Sequence, residues 1–289
     1  MVLLRRLFVA LALLLTASAA HADPALWVAR KGDSTVYLLG TVHMLRPQTQ
    51  WRSPALTRAF ADSQELWLEI ADPGDAAQAM SLMMRLGTDP THPLSSKLSP
   101  AELTQVDQAA RTLGAPGGAA GLEPMRPWAV SLLLETVPLL AAGYDPASGV
   151  DMQLKADADG AGKPVQGLET TEQQMHLLAD LPPQLEHEML DSVLADVAAG
   201  PGKLNRMVDA WEAGDVPGMT RLVMDDVASY RDMYGRVFVD RNVAWAKRLA
   251  ELSQHQPGTR FVAVGAGHLL GPDSLLVQLQ RQGFSVTRA

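Results

Sequence analysis

Cysteine is absent from the chain. Disulfides and thiolate metal ligands are thereby excluded, and any metal site must use His, Asp, Glu or water. Basic clusters are missing too. The formal net charge is −8, which argues against nucleic acid or an anionic membrane surface as partner. Aromatic residues make up only 5% of the chain. Trp27, Trp51, Trp67, Trp128, Trp211 and Trp245 are accordingly expected in the core rather than on a stacking platform. Beyond the N-terminus no apolar run reaches the roughly 20 residues a membrane-spanning helix needs. Three motifs are absent as well. No Gly-x-Ser-x-Gly elbow supports a serine nucleophile. No His-Glu-x-x-His helix supports an ordinary zincin. Gly265-Ala266-Gly267 follows an apolar run but lacks the third glycine of a dinucleotide fingerprint.

What is present begins with Met1 to Ala22. Arg5 and Arg6 precede an uncharged apolar stretch, Leu7 to Leu15, and Ala20-His21-Ala22 is a small-x-small cleavage site. That order predicts a secretory leader cut after Ala22 and an exported, periplasmic chain. The remainder suits a single domain, residues 23–289, with ample material for a buried core.

Short apolar runs around Lys31-Gly32-Asp33-Ser34 predict a hairpin, and its second run leads into Gly40-Thr41-Val42-His43. Glu65 to Ile70 reads as the next strand. Ser99-Pro100-Ala101-Glu102 is a capping box, and Pro127 to Ala142 an apolar, buried helix. Gly149-Val150-Asp151 opens another helix. Lys163 to Glu169 reads as a strand, and a largely helical region follows from about 171 to 258, including a long helix from Arg236 to His255. Arg260 to Val264 is a β-branched strand entering Gly265-Ala266-Gly267-His268, before a short helix and a last strand. The fold class is therefore α/β. A central mixed sheet carries two related strand–Gly-x-x-His halves, Val36–His43 and Val262–His268, with a large helical insert between them.

Four polar residues stand at the ends of apolar strands: His43, Glu69, Glu169 and His268. Ligand sites of α/β sheets collect at the carboxyl ends of strands. Imidazole and carboxylate are ligands of catalytic divalent metals. Each residue also has a plainer reading. Alternation sets Glu65, Trp67 and Glu69 on one face, which would usually be solvated. Glu169 could belong to a helix cap, Asp151 could face a helix dipole, and Arg126 and Arg241 could be surface charges. His92, His176, His187 and His255 are expected in ordinary roles.

Tyr37-Leu38-Leu39-Gly40-Thr41-Val42-His43 resembles the first Gly-x-x-His motif of the TraB/PrgY/GumN family. Glu65-Leu66-x-x-Glu69, Gly149-Val150-Asp151-x-x-Leu154, Gly162 to Val165 with Leu168-Glu169-Thr170, Arg241-Asn242, and Val262 to Gly271 resemble its later segments, in family order. The resemblance implies an α/β core with two related halves. It also implies a divalent metal of the manganese or cobalt type, zinc being possible, since the family includes Wnt-cleaving proteases that depend on such ions.

Two functions follow as expectations. The first is a metal-dependent hydrolase, a peptidase being one form of it, acting on a peptide or small molecule. His43, His268 and Glu69 would be metal ligands, Glu69 or Glu169 the general base, and Arg241 or Arg126 the oxyanion partner. Gly40, Gly265, Asp151 and Asn242 would line the site. The second is a non-catalytic binding or accessory protein holding a peptide, haem or metal in the same cleft.

Overall fold

The computed structural model describes residues 23–289 except 116, 201, 228 and 229; the expected leader lies outside the described residues. Six strands form one mixed sheet in the order β4-β3-β5-β2-β1-β6. They are β1 (Leu26–Lys31), β2 (Ser34–Thr41), β3 (Glu65–Ile70), β4 (Val165–Glu169), β5 (Thr259–Gly265) and β6 (Ser285–Arg288). The predicted hairpin is β1–β2, antiparallel and closed by the Lys31↔Ser34 pair. β2, β5, β3 and β4 run parallel. β6 adds an antiparallel edge beside β1.

The parallel strands read as continuous apolar runs because both faces of the sheet are covered. On one face Leu39, Leu66, Leu68, Phe261 and Ala263 pack under α1 (Pro54–Asp62), α6 (Val150–Gly160) and α9 (Gly202–Glu212). On the other, Val36, Leu38, Trp67, Val262 and Val264 pack under α12 (Asp240–His255) and α13 (Leu275–Arg281). Glu69 is therefore not on a solvated face. Its strand lies between β5 and β4, and Trp67 and Glu69 are both buried. No helix among the described residues is long and apolar enough to cross a membrane.

Helices fill both long crossovers. Between β3 and β4 come α2 (Ala76–Leu86), α3 (Leu94–Lys97), α4 (Pro100–Thr112), α5 (Pro127–Ala141) and α6. Between β4 and β5 come α7 (Thr171–Ala179), α8 (Pro183–Ala199), α9, α10 (Val216–Val227), α11 (Arg231–Tyr234) and α12. The Ser99/Glu102 capping box is formed. α3, α4, α5 and α8 bury an apolar core of their own, beside the sheet. The expected single helix from Arg236 is interrupted. Gly235–Val239 forms a π-turn, in which the Asp240 N–H reaches the Gly235 carbonyl.

Candidate active site

The parallel register brings the nominated residues to one edge of the sheet. Thr41 stands opposite Gly265, and Ile70 opposite Glu169. His43 and His268 lie just beyond the ends of β2 and β5, which are neighbours. The sequence echo is thus two adjacent strands delivering two imidazoles to one place. Their environments differ. The His43 side chain is 64% exposed, whereas His268 is buried in a short turn, Ala266–Leu269.

Arg241, on the first turn of α12, is the hub. Its side chain is 9% exposed. Nη2 donates to Glu69 Oε2 at 2.6 Å and also to Glu169 Oε1. Nε donates to Glu169 Oε2 at 3.2 Å, and Nη1 to the Val237 carbonyl inside the π-turn at 3.0 Å. The guanidinium also lies over Trp245, 4.5 Å from its ring centre. Gln174 on α7 closes the other side, donating to Glu69 Oε2 at 2.8 Å and Glu169 Oε1 at 3.1 Å. The Gly265 N–H donates to Glu69 Oε1 at 2.8 Å.

The same guanidinium fixes the state of His268. Nη1 sits 3.0 Å from His268 Nε2. Arginine can only donate, so Nε2 must accept and the proton must be on Nδ1. Nδ1 meets Asn242 Oδ1 at 2.7 Å, and Asn242 Nδ2 donates onward to the Asp273 carbonyl at 2.9 Å. Asn242 thus orients His268. Burial, with Arg241 adding to it against the pull of Glu69, lowers the His268 pKa from 6.5 to about 3. Between those values the unfolded chain binds a proton that the folded chain refuses. Stability from this residue is complete above pH 6.5 and falls as pH drops towards 3. A His268→Gln variant should show a flatter loss over that window, and urea titrations of both proteins at several pH values check it.

His43 is held differently. Nδ1 lies 2.8 Å from Asp151 Oδ2, and Thr41 Oγ1 donates to Asp151 Oδ1 at 2.9 Å. Gly149 makes this contact possible: a Cβ there would run into the His43 carbonyl. Desolvation acts against the imidazolium, but Asp151, by charge and hydrogen bond, and Glu69 outweigh it and raise the pKa from 6.5 to about 9. Nε2 has no hydrogen-bond partner among the described residues. It faces the backbone of Gly265, where a Cβ would lie 3.3 Å from Nε2 and 3.1 Å from Glu69 Oε1. Only glycine leaves that gap open.

The two glutamates are driven apart. Burial opposes ionisation of Glu69, but His268, Arg241 in direct contact, His43 and the Gly265 N–H outweigh it and hold its carboxyl below the usual carboxylate range. Glu169 is pushed up by burial and by the charge of Glu69, against its bonds to Arg241 and Gln174.

Most nominated residues therefore meet. Gly40 shapes the strand end, its carbonyl taking the Trp211 Nε1–H at 2.8 Å. Arg126 stands apart. It pairs with Glu186, whose other oxygen caps the Trp128 N–H, so it joins α5 to α8 and touches none of the cluster. Three contributors were not nominated: Gln174, Thr41 and Trp245. Gln174 had a signal, since it lies in the first turn of a helix that starts directly after Glu169. Trp245 is in the core as expected and also packs against His268, with ring centres 4.5 Å apart and planes tilted by 44°.

The TraB/PrgY/gumN family model matches residues 25–288. The chain belongs to this family. Among its relatives is the uncharacterized protein YbaP of Escherichia coli (strain K12), 24% identical over 252 residues, which are 87% of this chain and 90% of the relative. An uncharacterized protein of Treponema pallidum (strain Nichols) is 22% identical over 269 residues, covering 88% of this chain and 80% of its own. No solved structure matches the chain.

The family resemblance implied a divalent metal, so the donors of this family member must be tested for it. A catalytic site takes three protein ligands with free lone pairs. Here the His268 Nε2 lone pair, Glu69 Oε2 and both Glu169 oxygens are turned to Arg241, Glu69 Oε1 takes the Gly265 N–H, and His43 is raised towards its protonated form. No three His, Asp or Glu side chains among the described residues are arranged to hold a metal ion. In this arrangement the residues do not fit a divalent cation.

Proposed function

We propose that the protein is a hydrolase in which His43 activates a water molecule beside Glu69. One observation carries this reading: the His43–Asp151 pair leaves Nε2 without a hydrogen-bond partner among the described residues, at the gap next to Gly265 and across from Glu69 Oε1. Carboxylate-held imidazole is the arrangement of a general base, because the carboxylate fixes the tautomer and stabilises the imidazolium that forms. Glu69 Oε1 retains a lone pair after its bond to Gly265 N–H and can orient the same water. His43 takes the proton and then delivers it to the leaving group. Glu169, Gln174 and Arg241 hold Glu69 in place. His43 is exposed while Glu69, Asp151, Arg241, Asn242 and His268 are buried, so substrate meets it first.

The substrate class proposed is a peptide or a small ester or amide. The supporting feature is an accessible base next to a rigid polar cluster. The protein is proposed to act after export, on the strength of Arg5, Arg6, the apolar run to Leu15 and Ala20-His21-Ala22. N-terminal sequencing of chain recovered from the periplasm should begin at Asp23; a start at Met1 in the cytoplasm would contradict this.

Because His43 titrates near 9, the neutral base grows with pH, and the rate should climb about tenfold per unit below that value before levelling. Screening a peptide and ester library with wild type and His43→Gln tests the reading. Retention of a library component without cleavage would favour a binding protein instead. Asp151→Asn should move the His43 titration, followed by NMR of the ring protons, down towards 6.5. An unmoved midpoint would mean that Asp151 does not control this imidazole.

A further inference from the structure

Five groups surround one point at the sheet edge: His43, Glu69, Glu169, His268 and Arg241. Four are the N and O donors a first-row divalent ion would choose. The fifth is a cation, and it already satisfies three of the others. Nη2 bridges Glu69 and Glu169, Nε adds a second bond to Glu169, and Nη1 takes the lone pair of His268. Arg241 is not free to swing away. Its Nη1 is anchored to the Val237 carbonyl in the π-turn, and Trp245 covers its face. A divalent ion beside it would sit against a fixed, desolvated positive charge and would find, among the described residues, His43 Nε2 and the remaining lone pair of Glu69 Oε1, two donors rather than the three a catalytic site takes.

We infer that Arg241 is the built-in cation of this cluster, that it excludes a divalent metal from between the two Gly-x-x-His loops, and that its removal uncovers a metal site. The ligands of the uncovered site are His268 Nε2 and the carboxylates of Glu69 and Glu169, with His43 Nε2 beside them. Imidazole with carboxylate suits zinc, manganese or cobalt. The inference goes beyond the hydrolase reading and does not depend on it. A binding protein with the same cluster would exclude metal in the same way.

The test uses the mature chain without a histidine tag and three variants: Arg241→Met, Arg241→Met/His268→Ala and His43→Ala/His268→Ala. Each is equilibrated with zinc, manganese or cobalt chloride. Bound metal is measured by mass spectrometry after desalting, and melting temperature is followed in parallel. The expected result is no stoichiometric metal in wild type and no change in its melting temperature. Arg241→Met should melt lower, retain stoichiometric metal and regain melting temperature on metal addition. Adding His268→Ala should abolish both gains. Stoichiometric metal in wild type that disappears in His43→Ala/His268→Ala would overturn the inference. So would a folded Arg241→Met protein that takes up no metal. If Arg241→Met does not fold even with metal, the wild-type measurement still decides. Cobalt or manganese at this site would quench Trp245, whose ring centre lies 4.5 Å from that of His268, and unchanged tryptophan emission in wild type supports exclusion.

Discussion

Arg241→Ala should destabilise the protein by about 3–5 kcal/mol, the range for removing one partner of a buried ion pair. The change leaves Glu69, buried, beside Glu169, whose side chain is 10% exposed, with Gln174 as their shared remaining side-chain donor among the described residues. It also removes the donor to His268 Nε2 and the cation over Trp245. For a chain of this length each kcal/mol lowers the melting temperature by roughly 2–4 °C. Arg241→Lys keeps the charge but cannot donate through a fork to two carboxylates and an imidazole, so it should recover only part of the loss. Adding Glu69→Gln and Glu169→Gln to Arg241→Ala should restore part of the stability, because no unpaired charge then remains buried. Urea unfolding of the four proteins measures this. A loss below about 1 kcal/mol for Arg241→Ala would place the pair among solvent-screened surface bridges and contradict the hub.

His43→Gln should reduce turnover on an identified substrate by about a hundredfold to ten-thousandfold, the usual contribution of a general base. The fold should survive, since the His43 side chain is largely in solvent and makes a single hydrogen bond among the described residues. That separates this variant from Arg241→Ala, where stability and function fall together. Asp151→Asn should act in the same direction but less strongly. It keeps a polar partner at Nδ1 and loses the charge that stabilises the imidazolium. A His43→Gln protein with unchanged turnover and unchanged thermal stability would remove His43 from the chemistry.

The strands were legible because central parallel strands must be apolar on both faces, as in Leu38–Leu39 and Phe261–Val264. The convergence of His43, Glu69, Glu169 and His268 was legible for a related reason: parallel strands end on one edge. What the residues did with one another was not. Period-two alternation predicts faces but cannot say that β3 lies inside the sheet, so Glu69 looked solvated by pattern and is buried in fact. Arg241, inside the expected helix from Arg236, and Arg126, just before the one from Pro127, carry no local signal that says which partner each will take. Only the three-dimensional packing sends one to Glu69 and the other to Glu186. The His43–Asp151 bond spans residues far apart in sequence and depends on Gly149 backing onto the His43 carbonyl. The π-turn before α12 has no pattern of its own in an otherwise helical stretch. It is this turn whose Val237 carbonyl anchors Arg241.

The measurement that bears most directly on the central claim is hydrolysis of a peptide and ester mixture in heavy-oxygen water, with products read by mass spectrometry. Wild type should release acids carrying one heavy oxygen each, and His43→Gln, folded to the same melting temperature, should release essentially none. Unlabelled mixtures from wild type, or equal label from both proteins, would contradict a water activated by His43.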